Sequence, residues 1–184
     1  MSLRHWLGAG VAAGGVGLLA AGGWIEVKAH AAQVLLDRAW RETQADAAPV
    51  KPWPWADTWP VARLSAPRLD AGAVVLAEAG GEALAFAPAW LNASAGPGQA
   101  GLGVIAAHRA THFRFLADLQ PGDRVGLETP DRLREYRVVS TRVVRFDRSG
   151  LTVAGPDGLA LVTCWPLDAK TPGPLRLVVE AEPV

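Results

Sequence analysis

From about residue 60 the hydrophobic positions recur in short runs, several with the two-residue period of a strand. VARLSAPRL alternates, and GAVVLAEA, GEALAFA and LGVIAAH follow as compact apolar runs. DRVGLET, LREYRVVSTRVVR, LALVTC and LRLVVEA complete a set of eight. Glycine and proline punctuate the gaps, at Pro97-Gly98, Pro121-Gly122, Ser149-Gly150, Pro156-Asp157-Gly158 and Pro172-Gly173-Pro174. Eight strand-like runs with no alternating helices predict an all-β fold, a closed or nearly closed barrel. One patch breaks the pattern. In ATHFRFLADL the apolar residues Phe113, Leu116 and Leu119 are spaced for one face of a short helix.

The first quarter of the chain has another pattern. Trp6 to Ile25 runs for twenty positions without a charge; as a helix it would measure about 30 Å, the thickness of a bilayer's hydrocarbon core. Trp6 and Trp24 fall near its ends, where indoles favour the membrane interface, and Arg4 precedes it. The segment is therefore predicted to be a transmembrane signal-anchor over 6–25. Residues 1–5 then lie in the cytoplasm and everything after 25 lies on the extracytoplasmic side. A cleaved signal peptide is the alternative, with Ala29-His30-Ala31 as a small-x-small site lying past the apolar run. Trp24 to Ala48 contains no glycine or proline, which predicts that the helix continues as a stalk or amphipathic helix. KPWPWADTWP then forces extended backbone, and its tryptophans are expected to pack this linker against the domain. The division is 26–59 for stalk and linker and 60–184 for the folded domain.

Charge and rare residues narrow the chemistry. Acidic and basic residues balance at 18 each and neither end carries a basic run, which excludes a nucleic-acid partner. A single cysteine excludes an intrachain disulfide and a thiolate-rich zinc site. The four histidines form no H-E-x-x-H pattern, so neither a metal nor a cofactor is predicted.

That single cysteine, Cys164, ends the run LALVTC on the face shared by Ala160 and Val162. Pairing LALVTC antiparallel with LRLVVEA across the connection WPLDAKTPGP would put Arg176 beside Cys164. His108 ends LGVIAAH as Cys164 ends LALVTC, so parallel neighbours would bring both to one rim. Taken singly, each has a plain structural reading: an inert small thiol, a structural histidine, an outward-facing arginine. Taken together they suit nucleophilic chemistry. A thiolate attacks a carbonyl, an imidazolium protonates a leaving amine, and a guanidinium steadies an oxyanion or orients a scissile peptide. Hydrolysis and acyl transfer both remain open on these residues.

At the same residues the chain resembles the sortases, cysteine transpeptidases whose signature runs Thr-Leu-x-Thr-Cys with an arginine on the next strand. Here Ala160-Leu161-Val162-Thr163-Cys164 is followed by Arg176, and Ala106-Ala107-His108-Arg109 is similar to the family's Gly-His-Arg. PGQAGLGVI and FRFLADLQPGDRV also look like the family, and KPWPWADTWP with Cys164-Trp165-Pro166 resembles its marine proteobacterial type. Ala160 and Ala107 depart from the pattern, which touches substrate fit and local backbone but no reacting group. The resemblance implies an eight-stranded sortase barrel with short helices. It implies Cys164 as nucleophile, His108 as general acid and base, and Arg176 as the substrate or oxyanion ligand. It also implies a secreted protein substrate with an LPXTG-like C-terminal signal, of the vault/inter-alpha-trypsin type, and an amine acceptor. By the same resemblance the loop FDRSGLTVAGPDG helps to hold that signal, with Leu151, Val153 and Ala154 as its apolar wall and Thr163 of the signature as a further substrate-binding candidate. His112 matches no catalytic position and reads as a helix-surface residue. The alternatives are an L,D-transpeptidase, against which Trp165 and Pro166 argue, a hydrolytic cysteine peptidase, and a non-catalytic exported barrel that binds a partner.

Overall fold

The computed structural model describes residues 27–46, 48–81, 83–109, 112–169, 171 and 173–184. The expected transmembrane segment lies outside the described residues; among those described, no helix is long and apolar enough to cross a membrane. Eight strands are present among them: β1 Pro60–Ala66, β2 Ala71–Leu76, β3 Ala89–Trp90, β4 Leu102–Ala107, β5 Arg124–Glu128, β6 Leu133–Arg145, β7 Gly158–Cys164 and β8 Leu175–Pro183. They close into a barrel in the order β1-β2-β3-β4-β7-β8-β6-β5, with β5 returning to β1. Two pairings are parallel, β2 with β3 and β4 with β7; the others are antiparallel.

Alternation in the sequence becomes alternation in burial. Along β1, Ala62, Leu64 and Ala66 are buried while Val61, Arg63 and Ser65 are half-exposed. Leu64, Val75, Ile105, Leu127, Leu159, Leu161 and Val179 fill the barrel. The patch at Phe113, Leu116 and Leu119 forms a 3-10 helix, Arg114–Asp118. Its spacing of three suits a helix in which residues i and i+3 eclipse, and all three apolar side chains join the barrel core.

One expected strand is a helix instead. GEALAFA contributes α2, Ala83–Phe86, and the third strand is the short β3 just after it. Alanine and leucine favour helix, and the segment lacks the β-branched residues that favour a pleated strand. Ala83 and Ala87 lie four apart, and both are buried against Leu36, Leu76 and Ala89.

Residues 27–46 form α1, which lies along the barrel rather than standing clear of it. Ala32, Leu36, Ala39, Trp40 and Thr43, at three- and four-residue spacing, are buried. Burying Leu36 alone stabilises the contact by about 1.5–3 kcal/mol. Polar ties fix the helix in place: Gln33 Nε2 donates to the Phe86 carbonyl at 2.8 Å, Arg63 meets Asp37 at 3.0 Å, and Gln44 donates to Glu128 at 2.9 Å. In the linker, Trp53 packs edge-on against Phe86, ring centroids 5.0 Å apart. Trp55 does not pack: it is 79% exposed.

Candidate active site

Register brings the candidate residues together. β4 and β7 run parallel with Ala107 beside Thr163, so the next residues, His108 and Cys164, leave the barrel at one rim. Thr163 Oγ1 donates to the Ala107 carbonyl at 2.9 Å, pinning the two strands one step before those residues. On the other side β7 and β8 are antiparallel, with Cys164 directly opposite Arg176. Such a pair holds its Cβ atoms about 4.5–5.5 Å apart. Leu159 and Leu161 point into the core, so Cys164 and its partner Arg176 belong to the outer face. His108 is exposed, while Cys164 and Arg176 are half-buried.

The arginine is held at three points. Its Nη1 donates to the carbonyls of Gly173 and Leu175, each at 2.8 Å. Its guanidinium lies 5.6 Å from the centroid of the Phe146 ring. Phe146 follows β6 and its backbone N–H donates to the Pro174 carbonyl at 2.9 Å, which sets the ring beside the start of β8. Phe146 opens the loop FDRSGLTVAGPDG, but no motif in the sequence pairs it with Arg176. The one available signal is its place two residues beyond Val144, the β6 partner of Arg176.

Arg109 is a second residue that the motif contains but whose work only the structure displays. Its guanidinium donates to the Ala169 carbonyl, and to that of Thr171 at 3.1 Å. It thereby fastens the β7–β8 connection next to His108. His112 is not on a helix surface: it sits in the turn before the 3-10 helix, half-buried, with its ring hydrogen-bonded to the Phe86 carbonyl. Burial holds this imidazole below the usual histidine range, and the neighbouring His108 pushes the same way against that hydrogen bond.

The expected substrate wall fares differently. Thr163 is 2% exposed with its hydroxyl engaged, so its side chain is a tie between strands rather than a surface for substrate. Leu151 is half-buried, but Val153 and Ala154 are exposed, leaving that wall open to solvent. The β6–β7 connection nevertheless lies over the outer face. Ala160 and Val178, both on that face, are fully buried, and Arg142 Nη1 donates to the Ser149 carbonyl at 2.6 Å. Among the described residues no group of three histidine, cysteine, aspartate or glutamate side chains is arranged to hold a metal.

Comparison with known proteins agrees with this geometry. A family model described as the sortase domain matches residues 64–184. None of the curated proteins compared matches the chain. Among solved structures, sortase A from Corynebacterium diphtheriae superposes with a TM-score of 0.61 at 26% identity, over 71% of this chain and 63% of that one. A pilus-related sortase C of group B Streptococcus gives 0.61 at 23% identity, over 68% of this chain and 67% of that one. A Clostridium perfringens sortase D5 transpeptidase gives 0.68 at 17% identity, over 84% of this chain and 99% of that one. The chain thus spans less than two thirds of the Corynebacterium protein's length, while the two lower-identity neighbours speak for the fold alone. With the family model covering the barrel from β1 to the last strand, the chain belongs to the sortase family, the cysteine transpeptidases.

Proposed function

We propose that the protein is a membrane-anchored transpeptidase that cleaves an LPXTG-like C-terminal sorting signal and passes the acyl group to an amine. One observation carries the reading: β4, β7 and β8 deliver His108, Cys164 and Arg176 to a single rim of the barrel. In this mechanism the Cys164 sulfur attacks the carbonyl carbon of the scissile peptide, and Arg176 donates to the oxygen as it gains charge. The C–N bond then breaks, and the leaving amine takes a proton from His108. The thioacyl-enzyme is resolved when an incoming amine attacks the same carbon, yields its proton to His108 and expels the sulfur. Water in place of the amine would give hydrolysis.

The same reading includes residues 6–25 as anchor in a bacterial inner membrane and the barrel on its periplasmic side. The partner in this proposal is a secreted protein of the vault/inter-alpha-trypsin type. Sortase membership sets aside the L,D-transpeptidase alternative. A half-exposed thiol at the rim that also carries His108 speaks against an inert binding module.

The test is incubation of the full chain with a fluorogenic LPXTG peptide, with and without an added amine. Signal release that Cys164→Ala abolishes, with the amine appearing in the product, is the expected result. Undiminished turnover by Cys164→Ala would defeat the proposal, and product that never contains the amine would leave a hydrolase.

A further inference from the structure

The first half of α1 is apolar on two faces, and the barrel covers only one of them. Ala32 and Leu36 are buried, and Ala39, Trp40 and Thr43 continue that face. On the opposite side Val27, Ala31 and Val34 recur at spacings of four and three and stand in solvent, Val27 59% and Val34 53% exposed. Leu35 borders this stripe and is exposed as well. From Ala29 to Leu36 the only titratable side chain is that of His30. The second half of the helix differs. Its outward positions carry Arg38, Arg41 and Glu42, and Arg38 pairs with Glu42 at 2.7 Å. A helix that met only water would carry charge along its whole outer face.

The linker extends the apolar surface. Pro52, Trp53 and Pro54 line a groove with Leu35, Arg38 and Ala39, and Trp55 follows at 79% exposure. Upstream, Glu26 alone separates Val27 from the uncharged run that ends at Ile25.

We infer that the barrel domain docks on the bilayer surface through Val27, Val34, Leu35 and Trp55. The inference rests on the reading of residues 6–25 as a membrane anchor. An interfacial helix buries its apolar face about 5–10 Å into the boundary between headgroups and acyl chains, and an exposed indole favours the same layer. Because the anchor already holds the domain at the surface, a narrow stripe suffices to dock it. A second copy of the chain fits less well, since four side chains do not supply the roughly 1,200–2,000 Å2 that a stable protein interface buries. Docking also orients the reaction. In the same half of α1, Gln33 donates to the Phe86 carbonyl, and Ala29 and Gln33 line one groove with Phe86 and His112, the neighbour of His108. The His108 side of the barrel is thereby held toward the membrane, and a sorting signal is cleaved close to lipid.

The test uses the full chain in lipid nanodiscs of phosphatidylcholine and phosphatidylglycerol. Cys164→Ala removes the native thiol, so that one introduced cysteine carries an environment-sensitive fluorophore. The labelled variants are Val34→Cys, Trp55→Cys and, as control, Val184→Cys, a position 60% exposed beyond the end of β8 remote from Arg176. Labels at 34 and 55 should show blue-shifted emission and lose about half or more of their intensity to lipid bearing a doxyl group near its headgroup, with the label at 184 unaffected. Val27→Glu combined with Val34→Glu should abolish the quenching at 55; both positions are exposed, so the far-ultraviolet circular dichroism spectrum stays unchanged. Emission at 34 and 55 equal to that at 184, or quenching at 55 that survives the double variant, overturns the docking. A blue shift without doxyl quenching overturns it in favour of contact between copies. A chain that does not enter the discs overturns the anchor reading and the docking together, whereas docking alone fails if the chain enters and the labels stay unquenched. Because Cys164 is absent throughout, every outcome is separate from success or failure of the transpeptidase assay.

Discussion

The guanidinium of Arg176 and the ring of Phe146 face one another at 5.6 Å, although Phe146 is 61% exposed. Exposure on that scale leaves hydrophobic burial little part in fixing the ring, so the contact is chiefly between cation and π face. Together with the carbonyls of Gly173 and Leu175 it orients the arginine at the lip beside Cys164. An exposed cation–π contact contributes about 0.5–1 kcal/mol, which corresponds to roughly two- to fivefold in a rate ratio. Phe146→Ala is predicted to lower kcat/KM for the sorting peptide by that factor, while Phe146→Tyr preserves it. Steady-state kinetics of both variants beside Arg176→Ala, which should lose far more, checks the ordering. Equal activity in Phe146→Ala and the wild type would show the ring to be a bystander.

Thr163 tests how the strand pair positions the rim. Its hydroxyl bonds to Ala107, the residue before His108, inside a nearly solvent-free contact. Thr163→Val keeps the shape and leaves that bond unmade, at a cost of about 1–3 kcal/mol. Urea denaturation should show a lower midpoint with an unchanged slope. A midpoint identical to wild type contradicts the assignment.

Gly103 makes room for a tryptophan. A Cβ placed there would stand 2.6 Å from Trp90 Cζ2 and 2.7 Å from Cη2, and Trp90 is itself pinned by its Nε1 donating to the Ala95 carbonyl at 2.8 Å. Gly103→Ala should therefore destabilise the barrel by about 1–3 kcal/mol through overpacking. Combining it with Trp90→Leu should recover part of the loss. Thermal melts of the single and double variants decide the point, and two additive losses would rule out the clash.

Glu180 gives a pH signature. Its Oε2 accepts from Arg142 Nε and Ser140 Oγ, each at 2.8 Å, and its Oε1 from Arg142 Nη2 at 3.1 Å. The Arg142 hydrogen bonds hold this carboxyl below the usual glutamate range, against the opposing pull of burial. A carboxylate lowered on folding adds stability that is complete above its unfolded pKa and disappears as pH falls through the folded value. The stability gap between wild type and Glu180→Gln should thus be full at pH 7 and close as the pH drops through and below the ordinary glutamate range. A gap that widens on acidification would reverse the sign.

Much of this was legible in the chain because it rests on local pattern. The two-residue period revealed the strands, and their ends revealed where Cys164 and His108 would emerge. Pairing followed from adjacency for β7 and β8, which a ten-residue connection joins. GEALAFA reads as a strand because a short apolar run has no period long enough to separate helix from strand; in the fold Leu36 on α1 supplies the partner that buries its alanines. The roles of Phe146 and Arg109 escaped for another reason. Each acts on backbone or side-chain groups 30 or more residues away in sequence, at Arg176 and at Ala169, and no local signal records such a meeting. Thr163 is a substrate-binding candidate by resemblance to the family signature, and strand alternation turns its side chain inward, onto the Ala107 carbonyl.

In the proposed mechanism the sulfur of Cys164 carries the acyl group. Intact-mass spectrometry of the full chain, acid-quenched during turnover of an LPXTG peptide, addresses it most directly. An adduct equal to the peptide's acyl fragment, located on Cys164 and discharged when a primary amine is added, is the expected result. Active turnover with no adduct at any quench time, or the same turnover from Cys164→Ala, would contradict it.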